Sequence, residues 1–316
     1  MEEKHGRVKR YVGDIVKVLV TGGNGFIGQY VCEELENRDI NVVVFDRQHD
    51  KAETARDTHL GDIRDATSVT ESVAHVDAVI HLAGCLGTQE TINNPLPAAE
   101  TNIMGGLNVL QACTQYAVPL VNIAVGNYFE DNTYSLTKDC VSRFCNMYRE
   151  YRDLPVTVVR ALNAYGPRQS VAYPYGTSKV RKIMPSFIMR ALNAHPIEVY
   201  GSGNQIMDMI YVSDVAKILV SALLYTVQYG AVGSVLSAGT GRRTTVNDIA
   251  QLVVEYVGRG TISHIPMRPG ETPGVEVLGF PETLNILGVV KEQLMPLEQG
   301  IAKTVDWYRD NYSWQK

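Results

Sequence analysis

Tyr134 and Lys138 stand four residues apart in Tyr134-Ser135-Leu136-Thr137-Lys138, where a helical pattern begins. Residues at that spacing share a helix face, so a phenol and an ammonium can reach one ligand. A tyrosine hydroxyl ordinarily ionises near pH ~10. A neighbouring ammonium, or a cationic ring bound beside it, favours the phenolate, which can then take a proton from a substrate hydroxyl. Lys138 could also hold a cofactor ribose. The same spacing occurs on plain solvated helix faces, so the pair gains meaning from what precedes it.

What precedes it is Val18-Leu19-Val20-Thr21-Gly22-Gly23-Asn24-Gly25-Phe26-Ile27-Gly28, an apolar run that stops at glycines and opens a helical pattern. Gly22 permits a tight turn, Gly25 lets backbone amides approach a pyrophosphate, and Gly28 allows close packing of helix on sheet. The helix amino terminus then faces the phosphates with its partial positive charge. Phe26 and Ile27 lie inside this loop. A second strand, Asn41 to Phe45, ends at Asp46, whose carboxylate can accept bonds from an adenosine ribose and would repel a 2′-phosphate. That favours NAD over NADP, although Arg47 next door could receive the extra phosphate.

The elements that must position these residues alternate. Strand-like runs at Val16 to Thr21, Asn41 to Phe45, Ala78 to Leu82, Leu120 to Val125 and Val156 to Arg160 are separated by helical patterns at Phe26 to Asn37, Ala98 to Tyr116 and Ser135 to Tyr151. Continuous apolar strands between helices predict a parallel sheet covered on both faces, a Rossmann-type doubly wound α/β fold. From about Tyr165, prolines punctuate shorter elements and predict a smaller α+β lobe. Ile210 to Val227 reads as a strand running into a helix. The expected division is a tail over 1–15 and a dinucleotide-binding domain over 16–165, with 210–240 returning to it. A smaller lobe then spans 166–209 and 241–316.

The 316 residues carry a formal charge of −5, with 45% hydrophobic and 20% charged residues. That suits an ordinary globular protein and argues against a general binder of nucleic acid or acidic membrane. The segment Met1 to Asp14 has no apolar core of signal-peptide type and reads as a disordered lead-in, and no run approaches a membrane span. Five scattered cysteines without CxxC pairing read as reduced thiols of a cytoplasmic protein rather than a metal or disulfide framework. His81, at a strand end with no accompanying ligand cluster, reads as a packed residue. Cys140 reads as buried rather than reactive.

In this order of motifs the chain resembles the extended short-chain dehydrogenase/reductase family, in particular its NAD-dependent NDP-sugar epimerases and dehydratases, from Val16 onward. Thr21 to Gly28 (TGGNGFIG) is similar to that family's TGxxGxxG loop, and Tyr134 with Lys138 to its catalytic YxxxK. The resemblance implies that Asp62 and Ile63 border the adenine, and that Leu82, Ala83 and Gly84 of His81-Leu82-Ala83-Gly84 form a turn beside the cofactor. It implies that Asn102 supports the active site, that Asn163 of Arg160-Ala161-Leu162-Asn163-Ala164-Tyr165-Gly166-Pro167 contacts a diphosphate, and that Arg268 and Glu271 of Arg268-Pro269-Gly270-Glu271 meet phosphate and ribose. An NDP-sugar substrate and a homodimer formed through the helices Ala98–Tyr116 and Ser135–Tyr151 follow from the same resemblance; helical spacing alone does not separate that contact from intrachain packing.

Two positions depart from the family pattern. Val125 stands where the family has a Ser or Thr bonded to the reacting sugar oxygen, and the stretch from there to Tyr134 is short. Asn127, Asn132 or Thr137 could supply the missing hydrogen bond, or nothing does. Gly126 and Asn127 replace the Asp-Glu pair of 4,6-dehydratases. Glu130 and Asp131 just beyond are either displaced acids or, more simply, surface carboxylates. Met207 replaces an arginine that binds the diphosphate; methionine carries no charge and donates no hydrogen bond. Lys179, Arg181 and Lys182 either compensate or form a solvated helix end. Tyr173 and Tyr175 could close over the ligand or simply pack within their loop. The expected reaction is C4 epimerisation of an NDP-hexose through a 4-keto intermediate, with dehydration through the same intermediate, or a non-catalytic NAD-binding regulator, as competing readings.

Overall fold

The computed structural model describes residues 17–49 and 56–312; the expected amino-terminal tail and Val16 lie outside them. Its main sheet contains β1 (Lys17–Thr21), β2 (Asn41–Asp46), β3 (Asp57–Leu60), β4 (Ala78–His81), β5 (Leu120–Val125), β6 (Val156–Ala161) and β7 (Leu236–Ala238). The order is β7-β6-β5-β4-β1-β2-β3, and every neighbouring pair is parallel. The chain reverses direction across the sheet between β1 and β4. In open α/β sheets, such a reversal leaves a ligand crevice outside the carboxyl ends of the strands.

Strand alternation builds two cores. Val18, Val20, Val42, Val44 and Ile80 join Val31 and Leu35 of α1 (Phe26–Glu36) on one face. Leu19, Val43 and Val79 join Val69 of α2 (Ala66–Val73), Val109 of α3 (Gly105–Gln115) and Val141 of α4 (Thr133–Tyr151) on the other. Both faces being covered explains why these strands read as continuous apolar runs rather than alternating ones.

A third core joins Met184 and Ile188 of α5 (Ile183–Leu192), Ile249 of α7 (Val246–Val257), and Ile301 and Tyr308 of α8 (Leu297–Asn311). Between α5 and α7 lies α6 (Val212–Tyr229), which packs on α1 and against β4, β5 and β6. The strand read ahead of it is Met209–Tyr211, which pairs with Asn163–Tyr165 rather than with the main sheet. β7 completes the edge beside β6. Among the described residues, no helix is long and apolar enough to cross a membrane.

Two differences from the sequence reading have local causes. β3 escapes it because Asp-Thr-His-Leu is a half-exposed edge strand with no apolar run, and α2 because its eight residues bury only Val69, Ser72 and Val73. The helix expected over Ala98–Tyr116 is interrupted: a short helix at Leu96–Ala99 passes into a π-turn at Glu100–Met104 before α3. Gly105 and Gly106 follow at once, where a Cβ would press on Ile63 and Val141, so close packing fixes the start of α3.

Candidate active site

At the carboxyl ends of these strands a cleft of about 570 Å³ is walled by Gly22, Asp46, Leu82, Val125, Ala161 and the α4 residues Tyr134 and Lys138. Its volume lies in the range of small-molecule sites. The glycine turn forms one end. Gly22 has φ +72°, which a side chain rarely adopts, and a Cβ on Gly28 would lie 2.2 Å from the Gly22 carbonyl oxygen. The Gly25 amide donates to the same carbonyl at 3.0 Å. Gly25 caps α1 without a side-chain hydrogen bond, so the first amides of the helix are left for an anion.

Asp46 closes this end. Its carboxylate accepts from the Asn24 and Gln48 amides, each at 3.1 Å. Arg47 is exposed and 3.9 Å from Asp62, which Arg64 holds at 2.7 Å and below the usual carboxylate range. Phe26, Ile27, Ile63, Ala83 and Gly84 also line the cleft. An unscreened helix start, a close-packed glycine turn and a ribose-ready carboxylate form a chain of features that fits a dinucleotide.

Tyr134 and Lys138 lie on the cleft wall in the first turns of α4. The helix starts at Thr133, capped by Asn132, whose side-chain oxygen accepts from the Ser135 amide at 3.0 Å. Burial pushes the Tyr134 hydroxyl up to about 12, with Cys85 adding to it, and pushes Lys138 down to about 8. Behind them, His81 is bonded through Nδ1 to the Thr21 hydroxyl at 2.7 Å. Burial, then the Lys138 charge, drives its pKa down to about 3, so it stays neutral. Such a site favours neutral groups until a ligand brings charge into it.

Asn102 is not on the cleft wall. It is buried, donates to the Thr137 hydroxyl at 2.9 Å and to the Cys85 carbonyl at 3.1 Å, and accepts from the Cys85 amide at 2.7 Å. It ties the segment after Gly84 to α4. The π-turn carries Asn102, and there the sequence reading drew an unbroken helix.

At the far end Asn163, Arg268 and Glu271 line the cleft. Asn163 donates to the Asp208 carbonyl at 3.2 Å. Arg268 pairs with Glu271 and lies 4.7 Å over the Tyr200 ring, its Nε buried without a partner. Met207 is on the wall, while Asp208 beside it is wholly buried and accepts from Thr240, Gly241 and Gly279. Of the three cations that could compensate for Met207, Lys179 is exposed and off the cleft. Arg181 is engaged by Glu198 at 2.8 Å and by the Tyr200 hydroxyl at 2.7 Å. Lys182 lines the cleft; burial lowers its pKa and Glu90 opposes that shift. Tyr173 and Tyr175 do not close over the cleft: Tyr173 is 86% exposed, and Tyr175 bonds His195.

The short β5–α4 loop holds the main surprise. Val125, Gly126 and Asn127 line the cleft, and so does Glu130, only 5% exposed. The simpler reading of Glu130 as a surface carboxylate is corrected; Asp131 beside it is exposed. Of the three candidates for the missing hydrogen bond, Asn127 alone lines the cleft, and its amide donates to Glu130. Thr137 instead donates back to the Thr133 carbonyl at 2.7 Å. The loop's brevity was the available signal: few residues separate Val125 from Tyr134, so its side chains stay near the cleft.

Comparison with known proteins agrees with this architecture. The model of the NAD dependent epimerase/dehydratase family matches residues 18–233. The chain is 26% identical to a putative UDP-glucose 4-epimerase of Methanocaldococcus jannaschii, over 93% of this chain and 99% of that protein. It is 28% identical to a UDP-N-acetyl-alpha-D-glucosaminuronate decarboxylase of Bacillus cytotoxicus, over 93% and 98%. The Thermus thermophilus UDP-glucose 4-epimerase, solved with NAD, superposes with a TM-score of 0.82 at 26% identity, covering 94% of this chain and 100% of that one. A matched family model over most of the chain, a doubly wound sheet and a cleft that fits NAD lead to one conclusion: the chain belongs to the NAD dependent epimerase/dehydratase family and is an NAD-dependent enzyme.

Proposed function

We propose that this enzyme inverts C4 of a nucleotide-activated hexose. The observation that carries the reading is the shared exposure of Tyr134 and Lys138 to one cleft that also runs from the glycine turn to Arg268. When bound, NAD would accept hydride from C4 and return it to the other face of the carbonyl carbon, and its cationic ring would favour the Tyr134 phenolate. Tyr134 takes the 4-hydroxyl proton as the carbonyl forms and gives it back after the sugar has turned. Lys138 keeps positive charge beside the phenol. Gly22, Gly25, Phe26, Ile27, Gly28, Asp46, Asp62, Ile63, Leu82, Ala83 and Gly84 hold the cofactor. Asn163, Arg268 and Glu271 hold the substrate diphosphate and nucleoside, with Lys182 as the added cation. In this reading residues 16–165 and 210–240 form the NAD domain, the other segments clasp the sugar nucleotide, and five thiols suit the reducing cytoplasm.

Dehydration through the same keto sugar draws on one observation, the buried Glu130. Its partners Asn127, Asn132 and the Thr272 amide all donate to it, which suits an acceptor rather than a proton donor. Incubation with UDP-, dTDP-, GDP- and CDP-hexoses in deuterated water, followed by proton NMR, tests the proposal. A C4 epimer free of deuterium at C4 supports it; a 4-keto-6-deoxy or unsaturated sugar overturns it. Tyr134→Phe should cost ~10²–10⁴-fold in turnover, and near-normal turnover would remove Tyr134 from the mechanism.

A further inference from the structure

The carboxylates of the cleft differ in their company: Asp46, at the glycine-turn end, accepts from the Asn24 and Gln48 amides, and the rest divide as follows. Glu271 is paired with Arg268, Glu198 with Arg181 and Arg190, and Asp62 with Arg64. Glu90 faces the Lys182 charge. Glu130 instead is held by neutral donors: the Asn127 and Asn132 side-chain amides on one oxygen and the Thr272 backbone amide, at 3.4 Å, on the other. These partners come from the β5–α4 loop and from the segment after Arg268-Pro269-Gly270-Glu271. Glu130 therefore sits at the seam between the loop that leads into Tyr134 and the strap of turns that carries Arg268. It is 5% exposed, and what it exposes belongs to the cleft wall.

A carboxylate offers about four acceptor positions. Three are taken, which leaves about one open on a residue of the cleft wall. Its hydrogen-bond partners carry no charge, and water is largely excluded around it. Like charges in such a setting repel far more than in bulk water. We propose that Glu130 contacts the sugar and makes the site selective for neutral hexoses over uronic acids. It accepts a bond from a sugar hydroxyl on the side where Val125 offers no polar group, and it repels a sugar carboxylate. The proposal rests on the nucleotide-sugar reading above and adds the class of sugar.

The test is calorimetric binding to the NAD-loaded enzyme, which does not depend on turnover. UDP-glucose and UDP-glucuronic acid are titrated into the wild type, Glu130→Gln and Glu130→Ala, with thermal unfolding run on each to show that it is folded. The wild type should prefer UDP-glucose. Glu130→Gln should shift the affinity ratio toward UDP-glucuronic acid by roughly ten- to a thousandfold, the upper figure being one like-charge contact at ~4 Å and an effective dielectric of about 20. Glu130→Ala should shift the ratio the same way while also weakening UDP-glucose. If both ligands bind and the ratio stays constant across folded variants, or the wild type prefers the uronate, the role of Glu130 is refuted while the nucleotide-sugar reading stands. If neither ligand binds, and no other sugar nucleotide is converted in the NMR assay, both fail together.

Discussion

Lys138 is 5% exposed, and burial lowers its pKa to about 8. The unfolded value is about 10.4. Below pH 8 the lysine is protonated in both states, and the cost of burying its charge is fully present. Between pH 8 and about 10.4 only the unfolded chain holds the proton, so stability rises with pH across that window. Lys138→Met should therefore stabilise the ligand-free protein at pH 7 by about 1–3 kcal/mol, with the gap closing as pH rises toward ~10.4. Denaturant unfolding at several pH values measures this, and a destabilised variant would contradict it. The same titration should give kcat/KM a descending limb near pH 8 that is absent from the residual activity of Lys138→Arg, since a guanidinium does not ionise there. The pairing of Tyr134 with Lys138 was legible because a four-residue helical spacing fixes which side chains share a face. The burial of Glu130 was not, because a loop has no period from which to read a direction.

At the scale of elements, Asn132 joins three structures. It caps α4 through Ser135, donates to Glu130, and donates to the Gly270 carbonyl at 3.2 Å in the strap. Asn132→Ala should lower unfolding stability by about 1–2 kcal/mol, since a lost cap alone costs about 1, and should raise KM for the sugar nucleotide as the strap loosens. Asn132→Ser keeps an oxygen for the cap but loses the side-chain amide that reaches both Glu130 and Gly270. It should recover most of the stability and keep the raised KM, and recovery of both would reduce Asn132 to a cap. The strands of the main sheet were legible because burial on both faces forces continuous apolar runs. β3 was not, because an edge strand half open to solvent needs no such run.

At the scale of the molecule, α4 carries Leu136, Cys140, Phe144, Met147 and Tyr151 along one stripe. Leu136 is 55% exposed and Tyr151 71%, and Met104, 55% exposed, precedes the adjoining α3. Leu136 and Tyr151 left open at the two ends of this stripe, with half-buried side chains between them, suit a contact with a second copy of this chain. Light scattering should give the wild type twice the mass of one chain and Leu136→Glu the mass of one. A wild-type mass of one chain, or an unchanged mass in the variant, would exclude this face as the contact.

Sequence alone determined what short-range rules govern. The glycine turn must be glycine for steric reasons, the strand–helix alternation dictates a covered parallel sheet, and four-residue spacing joins Tyr134 to Lys138. Tertiary structure alone decided matters that depend on contacts between distant segments. Among these are the withdrawal of Asn102 behind the wall, the commitment of Arg181 to Glu198 on the cleft wall beside Lys182, and the capture of Glu130 between the β5–α4 loop and Thr272. The physical reason is common to all three. A polar side chain's role is set by which donors, acceptors and charges surround it, and those neighbours arrive from elsewhere in the chain only once it has folded.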